Sequence, residues 1–284
     1  SKSANTLRAY QADFKDFSLF CEKNSLTALP TEPKIISIYL TNLSKNSKFS
    51  TLKRRIASIS VIHKIKGYYL DTKHPIIIEN LLGIKRLKGS RQLSKKPILI
   101  NDLKLIIKAI DELKQKEFKK LRDKAIILIG FSGGFRRSEL VNLEYEDLEF
   151  VNEGVKLLIK RSKTDQSGEG SIKAIPYFNN EKYCPVKILK EWIAISNIQS
   201  GKIFNISDKS VSLIIKKYAL IAGLDPKRYG GHSLRSGFAT SAAESGAEER
   251  NIMAMTGHKT TQMVRRYINE ANLFKNNALN KIKI

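Results

Sequence analysis

Apolar positions recur at helical spacing through residues 1–90. Leu7, Tyr10, Phe14 and Phe17 stand three or four apart with acids and lysines between them, the period of a helix with one buried face. Pro30 and Pro33 punctuate the chain before a second apolar stretch from Ile35 to Leu43. Ser50 fits the N-cap of a third helix, whose apolar face is Leu52, Ile56, Ile59 and His63, because a serine hydroxyl there satisfies a free amide of the first turn. Its other face carries Lys53, Arg54 and Arg55, and a fourth helix is predicted over Ile76 to Leu87. Residues 88–97 are polar and basic, contain Gly and Pro, and have no apolar period, the composition of a linker. The expected division is therefore a helical domain over 1–90, a linker over 91–98 and a second domain over 99–284.

The second part is mixed. Helical patterns run from Asn101 to about Leu113, from Leu121 to Gly130, and from Arg136 to Asp147. Two strand-like runs, Gly154 to Lys160 and Ser171 to Pro176, flank a polar, Gly-containing segment and read as a hairpin. From Cys184 onward the pattern is helical again, broken by Gly201, Gly223, Gly230–Gly231, Gly246 and Gly257. The fold class is mostly α with a small β-sheet.

Charge narrows the function. The net charge is +24, with 19 basic and 6 acidic residues in 1–98 and 32 and 21 in the remainder. A basic excess on both parts suits a polyanion gripped along its length. Cys21 and Cys184 are too few and too far apart for a disulfide framework or a cysteine zinc module. No apolar run approaches the ~18 residues of a membrane span, and no secretory leader pattern opens the chain, so a cytoplasmic location is expected.

Five pieces of the second domain carry chemical potential. Gly133-Gly134-Phe135-Arg136-Arg137-Ser138-Glu139-Leu140 lets the backbone turn before a helix, so that Arg136 projects from its N-terminus, where phosphate is favoured. Glu139 lies within reach to hold that guanidinium. Ser162-Lys163-Thr164-Asp165 marks the tip of the predicted hairpin. In His232-Ser233-Leu234-Arg235 the first and last residues share a helix face. Thr256-Gly257-His258 and Arg266-Tyr267 complete the set, with nine residues from His258 to Tyr267.

The order Arg136, Lys163, His232-x-x-Arg235, Gly257-His258, Tyr267 resembles the catalytic pattern of the tyrosine recombinases, the integrases and Xer-type resolvases. The resemblance covers residues 133–267, and Arg136 rather than Arg137 keeps the spacing to Ser138-Glu139-Leu140. It implies a helical core-binding domain followed by an α+β catalytic domain, the two clamping duplex DNA. It also implies a site-specific recombinase that cuts and rejoins strands through a 3′-phosphotyrosine on Tyr267, with four protomers on two DNA sites. Short inverted repeats are the expected target. The apolar tail from about residue 271 would dock on a neighbouring protomer or on its own domain.

The chemistry suits these residues. A phenol with a pKa near 10 attacks poorly unless its proton can leave, and His232 is the matching acceptor. Arg136 and Arg235 can hold phosphate oxygens in forked geometry as charge builds. By the resemblance Lys163 is the general acid for the leaving 5′-oxygen, and His258 hydrogen-bonds the phosphate. No phosphate-binding loop or carboxylate cluster suggests ATP or two-metal chemistry, so no cofactor is expected. Lys53, Arg54 and Arg55, with Arg91 in the linker, are the candidate DNA contacts. Two alternatives stay open: DNA relaxation in the manner of a type IB topoisomerase, and a DNA-binding protein that does not cut.

Overall fold

The structure is a computed structural model that describes residues 4–89, 95–160, 170–272 and 278–282. The chain divides into two compact units, Ser1–Leu93 and Ser94–Ile284. Among the described residues no helix is long and apolar enough to cross a membrane.

The first unit is four helices: α1 (Ala4–Lys23), α2 (Pro33–Ser44), α3 (Phe49–Ile65) and α4 (Pro75–Lys88). Helix α1 packs on α3 and α2 on α4. Phe17, Cys21, Ile36, Tyr39, Leu40, Leu52, Ile59 and Ile77 form the core. Leu7, expected on the apolar face of α1, is exposed. Helix α3 starts two residues earlier than a Ser50 cap implies, with Lys48 in the cap position and no side-chain cap. The buried ring of His63 anchors this helix instead: Nδ1 donates to the Ile59 carbonyl at 2.9 Å, and Nε2 accepts from the Thr31 amide at 3.0 Å.

Charge is also buried here. Asp13 of α1 accepts from Ser58 Oγ at 2.7 Å and pairs with Arg54 and Arg55 of α3. Arg55 also reaches Asp16 at 3.3 Å. Two of the three basic residues expected to face DNA thus hold α3 to α1, because an acid buried without such partners would cost several kcal/mol.

In the second unit α5 (Ile100–Glu112) and α6 (Glu117–Ser132) precede the short α7 (Arg137–Val141). Strands β1 (Leu148–Val151), β2 (Gly154–Ile159) and β3 (Ser171–Pro176) form an antiparallel sheet in that order. Then come α8 (Pro185–Ser196), α9 (Asp208–Ile221), α10 (His232–Glu244), α11 (Glu249–Thr256) and α12 (Thr261–Ala271). Residues 125–131 of α6 are buried without interruption, as a helix surrounded by other elements requires; α8, α10, α5 and α9 all pack on it.

Three sequence expectations are corrected. The helix predicted from Arg136 to Asp147 ends at Val141. Beyond it the backbone pairs with residues 201–203, through Ile203 N to Leu143 O at 3.0 Å and Tyr145 N to Gly201 O at 2.7 Å. Those bonds compete with helix continuation and win. Strand β1, unpredicted, follows directly and doubles the hairpin into a sheet. Residues 95–98, read as linker, lie against the second unit, where Lys96 N donates to Arg228 O at 2.7 Å and Ile98 N to Ser233 O at 2.9 Å. Ile98 is fully buried in the core, a reward that outweighs the polar composition around it.

This last contact positions α10. Gly237 faces the Ile98 backbone so closely that a methyl group would overlap its carbonyl oxygen. Glycine to alanine in a helix ordinarily stabilises by about 1 kcal/mol. Here the sign should reverse. Urea unfolding of Gly237→Ala is expected to show a loss of about 1–3 kcal/mol, the range for forced overpacking.

Candidate active site

Two turns and two helices bring the side chains together. The first turn follows α6, where Gly134 takes φ +54°, a left-handed conformation that disfavours side chains. It delivers Arg136 as the N-cap of α7. Glu139, almost fully buried, accepts from the Arg136 amide at 3.0 Å and from Arg136 Nη1 at 2.5 Å. The carboxylate thus fixes both the backbone and the guanidinium of one residue. Arg137 instead sits 3.7 Å from Asp208 of α9, so the arginine at the site is Arg136.

The second turn is the end of α11. Gly257 closes the helix at φ +61°, its amide donating to Met253 O at 2.7 Å, the usual left-handed helix stop. This is why a glycine precedes His258; the need is conformational, not room for a ligand. The exposed Gly257 carbonyl accepts from Arg136 Nη2 at 3.2 Å. Thr256 Oγ1 lies 2.5 Å from Ile252 O and 2.7 Å from His258 Nδ1. Its single hydroxyl hydrogen goes to the Ile252 carbonyl, which can only accept, so His258 Nδ1 carries the hydrogen between ring and hydroxyl.

Helix α10 supplies His232 and Arg235 on one face, as their spacing implies. Arg235 is buried, and its Nη1 donates to the Gly134 carbonyl at 2.9 Å. Its Nη2 is buried with no hydrogen-bond partner among the described residues. Burial, then the neighbouring Arg136, lowers its pKa to about 10. His232 Nε2 lies 3.3 Å from Tyr267 Oη on α12. Tyr267 is half-buried and packs against a small cluster of Ala239, Ala243, Ile252 and Val264. Its ring centroid is 5.9 Å from that of His258.

The arrangement keeps both histidines neutral. Desolvation, then Arg235 and Arg136, lowers the pKa of His232 below its ordinary 6.5 and that of His258 to about 4. A neutral imidazole beside a phenol is a proton acceptor. Two guanidiniums beside it can hold an anion.

Arg136, Glu139, His232, Arg235, His258 and Tyr267 are therefore brought together. Lys163 and Arg91 lie outside the described residues. Lys53, Arg54 and Arg55 are on α3 of the first unit. Sequence reasoning missed Lys173 of β3. This lysine is buried with its Nζ on the carbonyls of Gly133, at 2.6 Å, and of Met255, and 4.6 Å from the Phe135 ring centroid. Its burial lowers its pKa to about 8. The available signal was a lysine in phase with Ile175 along the strand.

Known proteins resemble this chain over most of its length. The profile of the phage integrase family matches residues 98–273. An integrase/recombinase XerD homolog of Selenomonas ruminantium is 43% identical, covering 99% of this chain and 86% of that protein. Tyrosine recombinase XerC of Staphylococcus haemolyticus (strain JCSC1435) is 27% identical over 95% of this chain and 88% of that protein. Among solved structures, a XerH site-specific recombinase bound to palindromic difH substrate superposes with a TM-score of 0.67 at 18% identity, covering 87% of this chain and 73% of that one. A lambda integrase dimer bound to a COC′ core site gives 0.60 at 20% identity, covering 94% and 89%.

The electrostatics are open to direct measurement. NMR titration should find His258 neutral down to a pH of about 4. Arg136→Ala removes a repelling cation and should raise that pKa toward the ordinary value. A His258 that titrates near 6.5 in the wild type would contradict the described packing.

Proposed function

The chain belongs to the phage integrase family, and on that premise we propose that Tyr267 is the nucleophile through which this tyrosine recombinase cleaves and rejoins DNA. The observation that supports this most is the approach of Tyr267 Oη to His232 Nε2, at 3.3 Å, beside Arg136 and the buried, half-unpartnered Arg235.

The residues divide the work as follows. The Tyr267 proton passes to neutral His232 as Oη bonds to the scissile phosphorus. Arg136, held by Glu139, and Arg235 take the non-bridging oxygens, whose charge grows in the transition state. By the sequence resemblance, His258 hydrogen-bonds the same phosphate. The phosphorus–O5′ bond breaks and the leaving oxygen takes a proton from Lys163, a role that rests on the sequence resemblance. The 3′-phosphotyrosine keeps the phosphoester, so the reverse steps rejoin a strand without ATP.

The wider reading is that four protomers act on two short inverted-repeat sites. XerH on a palindromic substrate and a lambda integrase dimer on a core site support it. Residues 1–90 serve as the core-binding domain and residues 99–284 as the catalytic domain, in the cytoplasm. In the core-binding domain Lys53 is exposed and takes no part in holding Asp13, which Arg54 and Arg55 do. Family membership disfavours plain relaxation and non-cutting alternatives.

A nicked suicide substrate tests the assignment. Wild-type protein should trap a covalent strand and Tyr267→Phe should trap none. Arg136→Ala and Arg235→Ala, checked for unchanged melting, should form the adduct roughly 100- to 1000-fold more slowly, the loss typical of one oxyanion donor. A covalent strand recovered with Phe at 267 would refute the mechanism.

A further inference from the structure

Strand β3 buries a lysine. Ile172 is 69% exposed while Lys173 is 4% exposed and Ile175 is buried. The register makes this so: Lys173 pairs with the buried Leu157 and Ile172 with the partly exposed Leu158. A slip of one residue would free the lysine and merely exchange Ile175 for Ile172 on the inward face. An apolar side chain at 173 would continue the inward face of Val155, Leu157 and Ile175 with no charge to desolvate. The ammonium also has no carboxylate within ion-pair distance among the described residues. A buried cation under those terms is costly, and a site rather than a core is where such a local cost is expected.

The contacts say what the lysine does. Gly133, whose carbonyl it holds, opens the turn that ends in Arg136; Met255, whose carbonyl it also holds, stands three residues before His258. The next carbonyl in the first turn, Gly134, is held by Arg235, and Gly257 in the second by Arg136. Lys173 is thus a cross-tie between two segments that are 122 positions apart in sequence, which also meet where the Thr256 methyl packs against Gly134 and where Arg136 reaches Gly257. The charged and titratable groups around it are Glu139 of α7, Arg136 of the first turn, Arg235 of α10 and His258.

We propose that Lys173 is a positioning residue for strand cleavage: its ammonium clamps the turn that aims Arg136 to the helix end that presents His258, so that both meet one phosphate. The proposal rests on the reading of Tyr267 as nucleophile and deepens it. It assigns Lys173 no proton transfer and no contact with DNA.

The test is single-turnover adduct formation on the suicide substrate, with DNA affinity measured in parallel. Lys173→Met, close in length and neutral, should bind DNA within about threefold of wild type yet cleave about 30- to 100-fold more slowly, somewhat less than a lost oxyanion donor. Because the clamp acts through Arg136, the losses should not add: Lys173→Met in an Arg136→Ala background should slow cleavage by no more than about threefold. Removing the cation should also raise the His258 pKa above about 4. A folded Lys173→Met that cleaves at the wild-type rate, or losses that multiply in full, overturns the clamp. Should the Met variant not fold, Lys173→Arg keeps charge and donors and should cleave within about tenfold of wild type with His258 still near 4; a folded Arg variant slower than that also overturns it. If Arg136→Ala alone cleaves normally, the assignment of the site has failed instead.

Discussion

Three cations crowd one spot, and four backbone carbonyls with a single carboxylate hold them there. Arg136 is fixed by Glu139 and Gly257, Arg235 by Gly134, and Lys173 by Gly133 and Met255. Burial lowers the pKa values of Arg235, Lys173 and His258, and repulsion between like charges this close lowers them further. Carbonyl dipoles offset only part of it. An anion among these groups relieves the rest, and relieves most when its charge is greatest. The site therefore favours a phosphate that is gaining charge over one at rest.

That constraint explains features that otherwise look incidental. Positive φ at Gly134 and Gly257 turns carbonyls toward the cations rather than along a helix. The hydroxyl of Thr256, 2.7 Å from Nδ1, ties the His258 ring to α11. Gly237 lets α10 press on the Ile98 backbone, so that His232 and Arg235 are set by main-chain packing and not by a flexible side-chain contact. Residues far apart in the chain thus reach one place through backbone geometry, which tolerates little error.

How far the sequence speaks follows from where the information lies. The arginines, histidines and tyrosine were legible because their spacing is local: a glycine turn before Arg136, a shared helix face for His232 and Arg235, a helix stop before His258. The helical first unit and the hairpin strands were legible for the same reason. Asp13 and Arg54 are 41 residues apart, and nothing local marks the acid that holds half of a basic face. Strand β1 was hidden because Leu148-Glu149-Phe150-Val151 continues an apolar spacing that also suits a helix. Lys173 was hidden because alternation cannot say which face of a strand is inward when one face offers Ile172 and the other Ile175.

The proposed nucleophile stands apart from the cations. Arg136, Lys173 and the start of α10 are anchored on the large core built around α6. Tyr267 belongs to α12, which packs on α10 and α11 through a cluster whose fully buried members are small or few: Ala239, Ala243, Ile252 and Val264. At roughly 25 cal/mol per Å² of apolar area, so small a cluster secures α12 far less firmly than the main core secures the cations. Elements with few buried contacts occupy the low end of the local stability range. The division is physically sensible for a reaction that must run both ways. The charge that stabilises the transition state has to be in place before the phosphate arrives, whereas the phenol has to approach, bond and withdraw without disturbing it.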